Sequence, residues 1–199
     1  MNGGVMLGPL ILFAAAMCLT PGPNVVMVTA SAATFGFRRA IPHILGVTFG
    51  FAVIVMAAGL GVASLLHAEP RLHALLKYAG AAYLLYLAWR IARADAASGD
   101  KARGRPINFV EATLFQWVNP KGWMTAIGAL ATYTTVGGDA IRETSLITSV
   151  LVAACFASAA FWGGFGAAIA QLLGDPCAHR IFNWSMASLL VLSLIPVFW

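Results

Sequence analysis

Charged side chains are scarce in this chain: Lys and Arg number 12 and Asp and Glu 7 among 199 residues, or 10%. With 60% hydrophobic residues beside them, so few charges exclude both a disordered chain and an ordinary soluble domain. Cysteine is sparse too. Cys18, Cys155 and Cys177 lie far apart, without a CxxC pair or a His/Cys cluster, which argues against a disulfide framework and a zinc site. No metal and no cofactor are expected. No Lys or Arg precedes Arg38, so the basic segment that opens a cleaved signal peptide is missing, and the apolar stretch from Val5 is expected to remain as a first membrane helix. The formal charge is +5, yet the basic residues collect in short loops between apolar spans. Membrane topology and lipid headgroups account for them there, and no nucleic-acid partner is expected.

About 20 apolar residues cross a hydrocarbon core of roughly 30 Å. Such spans fall at about 5–35, 40–66, 72–92, 109–136, 145–173 and 179–198. The expected fold is all-α, a polytopic membrane protein with six transmembrane helices in a single transmembrane domain over 1–199. The polar stretch from Asp95 to Pro106, with Lys101, Arg103 and Arg105 and preceded by Arg90 and Arg93, divides it. Repeat one covers about 5–92, a loop about 93–108, and repeat two about 109–198. Three helices per half is an odd number, so the second half enters the membrane in the opposite orientation and the repeats are inverted. Faint self-similarity agrees: the third helix carries His73, Lys77 and Tyr78 where the sixth carries His179, Asn183 and Trp184. Arg38, Arg39, Arg90, Arg93, Arg105 and Arg180 belong to the loops after helices 1, 3 and 5, against Arg71, Lys77 and Arg142 on the other side. The positive-inside bias makes those loops cytoplasmic and places both termini outside.

Two spans are broken by proline, the first at Thr20-Pro21-Gly22-Pro23-Asn24 and the fourth at Asn119-Pro120-Lys121. A proline lacks an N–H and clashes with the preceding turn, so carbonyls near Met17, Cys18 and Leu19 are expected to lose their helical partners. Lipid tolerates such groups only where they face protein or a wet cavity, and paired breaks in two halves are a transporter's mark. Thr20 before Pro21 and Asn119 before Pro120 read as N-caps followed by proline at the first helical position. The half-helices starting there turn positive dipole ends toward the breaks. Pro120 lies about 11 residues, roughly 16 Å, into its span, and Pro23 is similarly central, so both breaks sit near the midplane. Burying the Lys121 ammonium there costs several kcal/mol unless it is paired or wet. Such a site suits a zwitterion, with its carboxylate at Lys121 and its ammonium at freed carbonyls and Asn24 or Asn119. Trp117 and Trp123 flank the second break as candidate walls. Glu111 and His43 are candidate proton carriers. Gly46 and Gly50 lie four residues apart, a spacing that lets helix backbones approach closely.

On these residues the chain resembles the LysE/RhtB family of bacterial amino-acid exporters. The resemblance rests on Thr20-Pro21-Gly22-Pro23-Asn24, Gly36 and Arg38, Gly46 and Gly50, Lys77, Gly80 and Tyr83-Leu84, and Phe109 followed by Asn119-Pro120-Lys121. It departs in Glu111-Ala112, where relatives often have a small glycine-containing turn. The resemblance implies a non-enzymatic secondary exporter of amino acids or related metabolites in the bacterial cytoplasmic (inner) membrane, working by proton antiport and alternating access. A homodimer is expected, because six helices alone make a thin bundle. The alternatives are a cation or heavy-metal exporter, which would need soft or acidic ligands near the midplane, where the chain is expected to offer neither, and a thiol redox conduit. The latter would pair Cys18 with a cysteine near Gln116 in the fourth helix, and none stands there.

Overall fold

The computed structural model describes residues 6–62, 69–94, 105–135, 138–173 and 175–195. Residues 95–104, with Lys101 and Arg103, and the side chain of His73 lie outside the described residues, as does the end of the expected second span beyond residue 62. All regular structure among the described residues is helical. The helices are α1 (Leu7–Leu19), α2 (Pro23–Phe35), α3 (Phe37–Gly59), α4 (Pro70–Ala92), α5 (Phe109–Gln116), α6 (Pro120–Tyr133), α7 (Ala140–Leu172) and α8 (Pro176–Leu192). Expected span 1 is thus α1 and α2, span 4 is α5 and α6, and span 5 begins five residues earlier than the hydropathy suggests.

Local chemistry explains the boundaries. Proline opens α2, α4, α6 and α8, where its missing N–H removes no helical bond. Asp139 accepts from Arg142 N at 3.1 Å and Asp175 from Cys177 N at 3.2 Å, capping α7 and α8. Asn108 and Glu111 cap α5 reciprocally, each accepting from the other's backbone N–H. Between α2 and α3 the chain turns at the single residue Gly36, whose φ of +86° favours glycine.

Helices α3 and α7 lie against each other, α1 and α2 pack on α7, and α5 and α6 pack on α3. Each broken pair therefore leans on the long helix of the other half, while α4 packs on α8 at one side. The seam between α3 and α5 explains the glycine spacing. A Cβ at Gly50 would come within 2.7 Å of Gln116 Cγ and Thr113 O, and one at Gly46 would strike Phe109 O. Thr113 Oγ1 donates to Gly46 O at 3.1 Å across this contact.

Polarity runs inside out. His43, Gln116 and Asn183 are fully buried, whereas Leu12, Phe49, Leu75 and Phe161 are exposed, as in a molecule whose outer surface meets hydrocarbon. Helices α3 and α7 are long and apolar enough to cross a membrane, as is the α1–α2 pair taken as one span bent by 56°. Length and apolarity alone do not reach the expected six spans among the described residues.

Candidate functional site

The first break runs over Thr20, Pro21 and Gly22. Thr20 is the C-terminal cap of α1 rather than the expected N-cap of a following helix, and its hydroxyl donates back to Ala16 O at 2.5 Å. Gly22 takes the N-cap position of α2. The physical reason is the second proline: Pro23 becomes the first helical residue and carries the helix start two positions past Pro21. The released carbonyls are taken by side chains. Ser158 Oγ donates to Cys18 O at 2.7 Å, Trp162 Nε1 to Leu19 O at 3.3 Å, and Lys121 Nζ to Thr20 O at 2.5 Å.

The second break closes on a tight turn of backbone bonds, and one of its carbonyls, Trp117 O, also turns to a side chain. The N–H groups of Trp117, Val118 and Asn119 bond carbonyls three residues back, at 3.2, 3.1 and 3.2 Å. Asn119 does occupy the N-cap position of α6, but its side chain does not cap. Its Nδ2 donates to Gln116 Oε1 at 3.2 Å instead, and its buried Oδ1 has no partner.

Asn24 and Lys121 hold equivalent places, the second residue of α2 and of α6, and each reaches across to the opposite break. Lys121 crosses to Thr20. Asn24 pairs with Gln116 through both amide groups, Nδ2 to Oε1 at 2.9 Å and Nε2 to Oδ1 at 3.0 Å. Gly22 makes room for the lysine: its φ of −162° suits any residue, but a Cβ there would lie 2.8 Å from Lys121 Cδ.

A cavity of about 60 Å³ lies between the breaks, room for a few ordered waters. Thr20, Gly22, Pro23 and Asn24 line it from one side and Asn119 and Lys121 from the other, with Cys155 and Ser158 of α7 completing the wall. Pro21 and Pro120 shape the breaks without lining the cavity. Trp117 and Trp123 are not walls: their rings pack on each other at 6.1 Å and Trp123 Nε1 donates to Trp117 O at 3.0 Å. Lys121, Gly122 and Thr125 face the cavity, and at about 100° per residue Trp123 points to another side, toward the apolar cluster around Ile54 and Leu151.

The candidate proton carriers lie elsewhere. Glu111 caps α5 and pairs with Arg90 at 3.3 Å and Arg105 at 2.7 Å. His43 is fully buried, with neither ring nitrogen partnered. Gln116, Cys155, Ser158 and Trp162 are site residues that sequence reasoning missed. The last three recur at i, i+3 and i+7, one face of α7, and polar groups on one face of an apolar helix were the signal available. Cys155 adjoins Cys18 across α1 and α7, and with Met17 on the same wall soft ligands do exist at this level. Among the described residues, no group of three or more His, Cys, Asp or Glu is placed to hold a metal ion.

Residues 15–194 match the family described as LysE type translocator. A cysteine/O-acetylserine efflux protein of Salmonella typhi is 40% identical over 116 residues, 58% of each chain. The protein of the same name in Escherichia coli K12 is 35% identical over 116 residues, again 58% of each chain. The matched stretch thus spans 58% of the length of these relatives. No solved structure matches.

Proposed function

Because the chain belongs to the LysE type translocator family, we propose that it exports amino acids or close metabolites across the bacterial inner membrane as a secondary-active transporter of six spans. The observation that carries this reading is the Lys121–Thr20 bridge between two breaks. It sets an ammonium from one half against freed carbonyls from the other, inside a cavity walled by Asn24, Asn119 and Ser158. A zwitterion replaces that bridge term for term: its carboxylate takes Lys121 and its ammonium takes Thr20 O, so both ends gain charge-assisted hydrogen bonds. Carrying that cargo across requires the breaks to open to one side at a time, which alternating access with the two halves rocking about them supplies.

The crossed packing and the reciprocal reach of Asn24 and Lys121 support an inverted repeat. The C-terminal ends of α2 and α4 meet the N-terminal part of α8, where Asn183 Nδ2 donates to Ala94 O at 2.8 Å and Thr34 Oγ1 to Asn183 Oδ1 at 3.4 Å. Arg90, Arg93, Arg105 and Arg180 gather at this end, which supports its being cytoplasmic with both termini outside. Proton return falls to His43 rather than to Glu111, whose carboxylate is held by two arginines, because a buried imidazole without partners needs a functional reason. Cells expressing the protein should release amino acids, cysteine or O-acetylserine among them, and resist toxic amino-acid analogues. A cation exporter is the second reading, favoured by Met17, Cys18 and Cys155 on the wall. The Lys121 ammonium in the same cavity opposes it. Protection against cadmium with no effect on any amino acid would establish that second reading and defeat the first.

A further inference from the structure

A second cavity, of about 180 Å³, lies away from the breaks, between the C-terminal parts of α2 and α4 and the segment before α5. Arg90, Arg93 and Arg105 line it, together with Ser31 and Thr34. The rest of its wall is apolar, including Met27, Leu87 and Ile107. One carboxylate, Glu111, pairs with two of the guanidinium groups, leaving two positive charges in excess among the described residues. Arginines near helix C-termini need no ligand to explain them, since the carbonyl ends attract cations. Ser31 is different. It is 6% exposed, its hydroxyl has no partner, and it forms part of the cavity wall, so a buried donor is left without an acceptor beside the arginines. Arg93 Cζ lies over the Trp89 ring, 4.8 Å from its centroid, and Trp89 is exposed on the outer surface, an arrangement typical of the membrane–water interface.

We propose that this cavity binds the phosphate group of an anionic phospholipid, with Arg93 and Arg90 on the phosphate oxygens, Ser31 donating a hydrogen bond, and the apolar wall against the glycerol and first acyl carbons. Guanidinium forks match phosphate oxygens in geometry and charge, and basic pockets between helices on the cytoplasmic side bind such headgroups. The inference uses the membrane reading but not the exported cargo, so it stands or falls separately from the export proposal.

The test is native mass spectrometry of the purified full chain, with thermal unfolding in nanodiscs of phosphatidylcholine alone or mixed with phosphatidylglycerol. Arg93 is exposed and Ser31→Ala removes one oxygen, so neither change threatens the fold. Wild type should retain phosphatidylglycerol over phosphatidylcholine and unfold at higher temperature with it. Arg93→Gln should lower that retention roughly fivefold, and Ser31→Ala should lower it by a smaller factor. Inorganic phosphate forms a separate arm: stabilisation of wild type but not of Arg93→Gln by phosphate, with equal retention of the two lipids, would overturn the lipid assignment in favour of a soluble anion. Equal retention of both lipids by wild type with no phosphate effect, or unchanged selectivity in both variants, would overturn the proposal.

Discussion

The two breaks look alike in sequence and differ in what they leave unpaired. Two prolines interrupt the first, and the carbonyls of Cys18, Leu19 and Thr20 turn to side chains on α7 and α6. One proline interrupts the second, and its turn closes on tight backbone bonds. The first break is therefore rich in acceptors, whereas the second supplies donors through Lys121 and a buried amide cluster. The two breaks are complementary, and a cargo with one positive and one negative group would match that difference.

The largest effect should come from removing the charge that joins them. Lys121→Ala loses hydrogen bonds to a charged group worth about 1.5–3 kcal/mol, and export should fall on the order of 100-fold with insertion and folding unchanged. Next comes the amide pair. Asn24→Leu or Gln116→Leu leaves a buried amide unpaired at about 1–3 kcal/mol, while the double variant should lose less than the sum of the singles, read as a coupling in thermal unfolding. Gly50→Ala overpacks the seam that seats the second break, by about 1–3 kcal/mol, and should lower Tm more than it lowers affinity for cargo. Ser158→Ala leaves Cys18 O short of a donor and should cost about 1 kcal/mol, altering the first break alone. The smallest effect is expected from Cys18→Ala with Cys155→Ala: export should persist, and its complete loss would revive the thiol redox reading.

How legible this was depends on how local each cause is. Proline chemistry acts within a turn, so both breaks and the freed carbonyls of Cys18 and Leu19 can be read from the chain, whereas the release of Thr20 O in place of Met17 O follows from the second proline. The α3–α5 seam is visible in Gly46 and Gly50 for the same reason. Thr20 misleads because two prolines compete for the helix start and the later one wins. The contribution of α7 is hidden because Cys155, Ser158 and Trp162 acquire meaning only when a helix more than 130 residues away along the chain lies beside them. Trp117 and Trp123 sit next to the break in sequence, but helical rotation turns them from the cavity toward each other.

A single site that reads both charges of a zwitterion, with each break supplying one half, must discriminate its cargo by charge. Counterflow in proteoliposomes measures it directly, using a labelled amino acid that the protein exports against three unlabelled competitors: the amino acid itself, its decarboxylated amine and its amide. The parent compound should compete strongly in wild type and the amine and amide weakly. Lys121→Ala should erase the difference among the three. Equal competition by the amine in wild type, or preserved selectivity in Lys121→Ala, would contradict it.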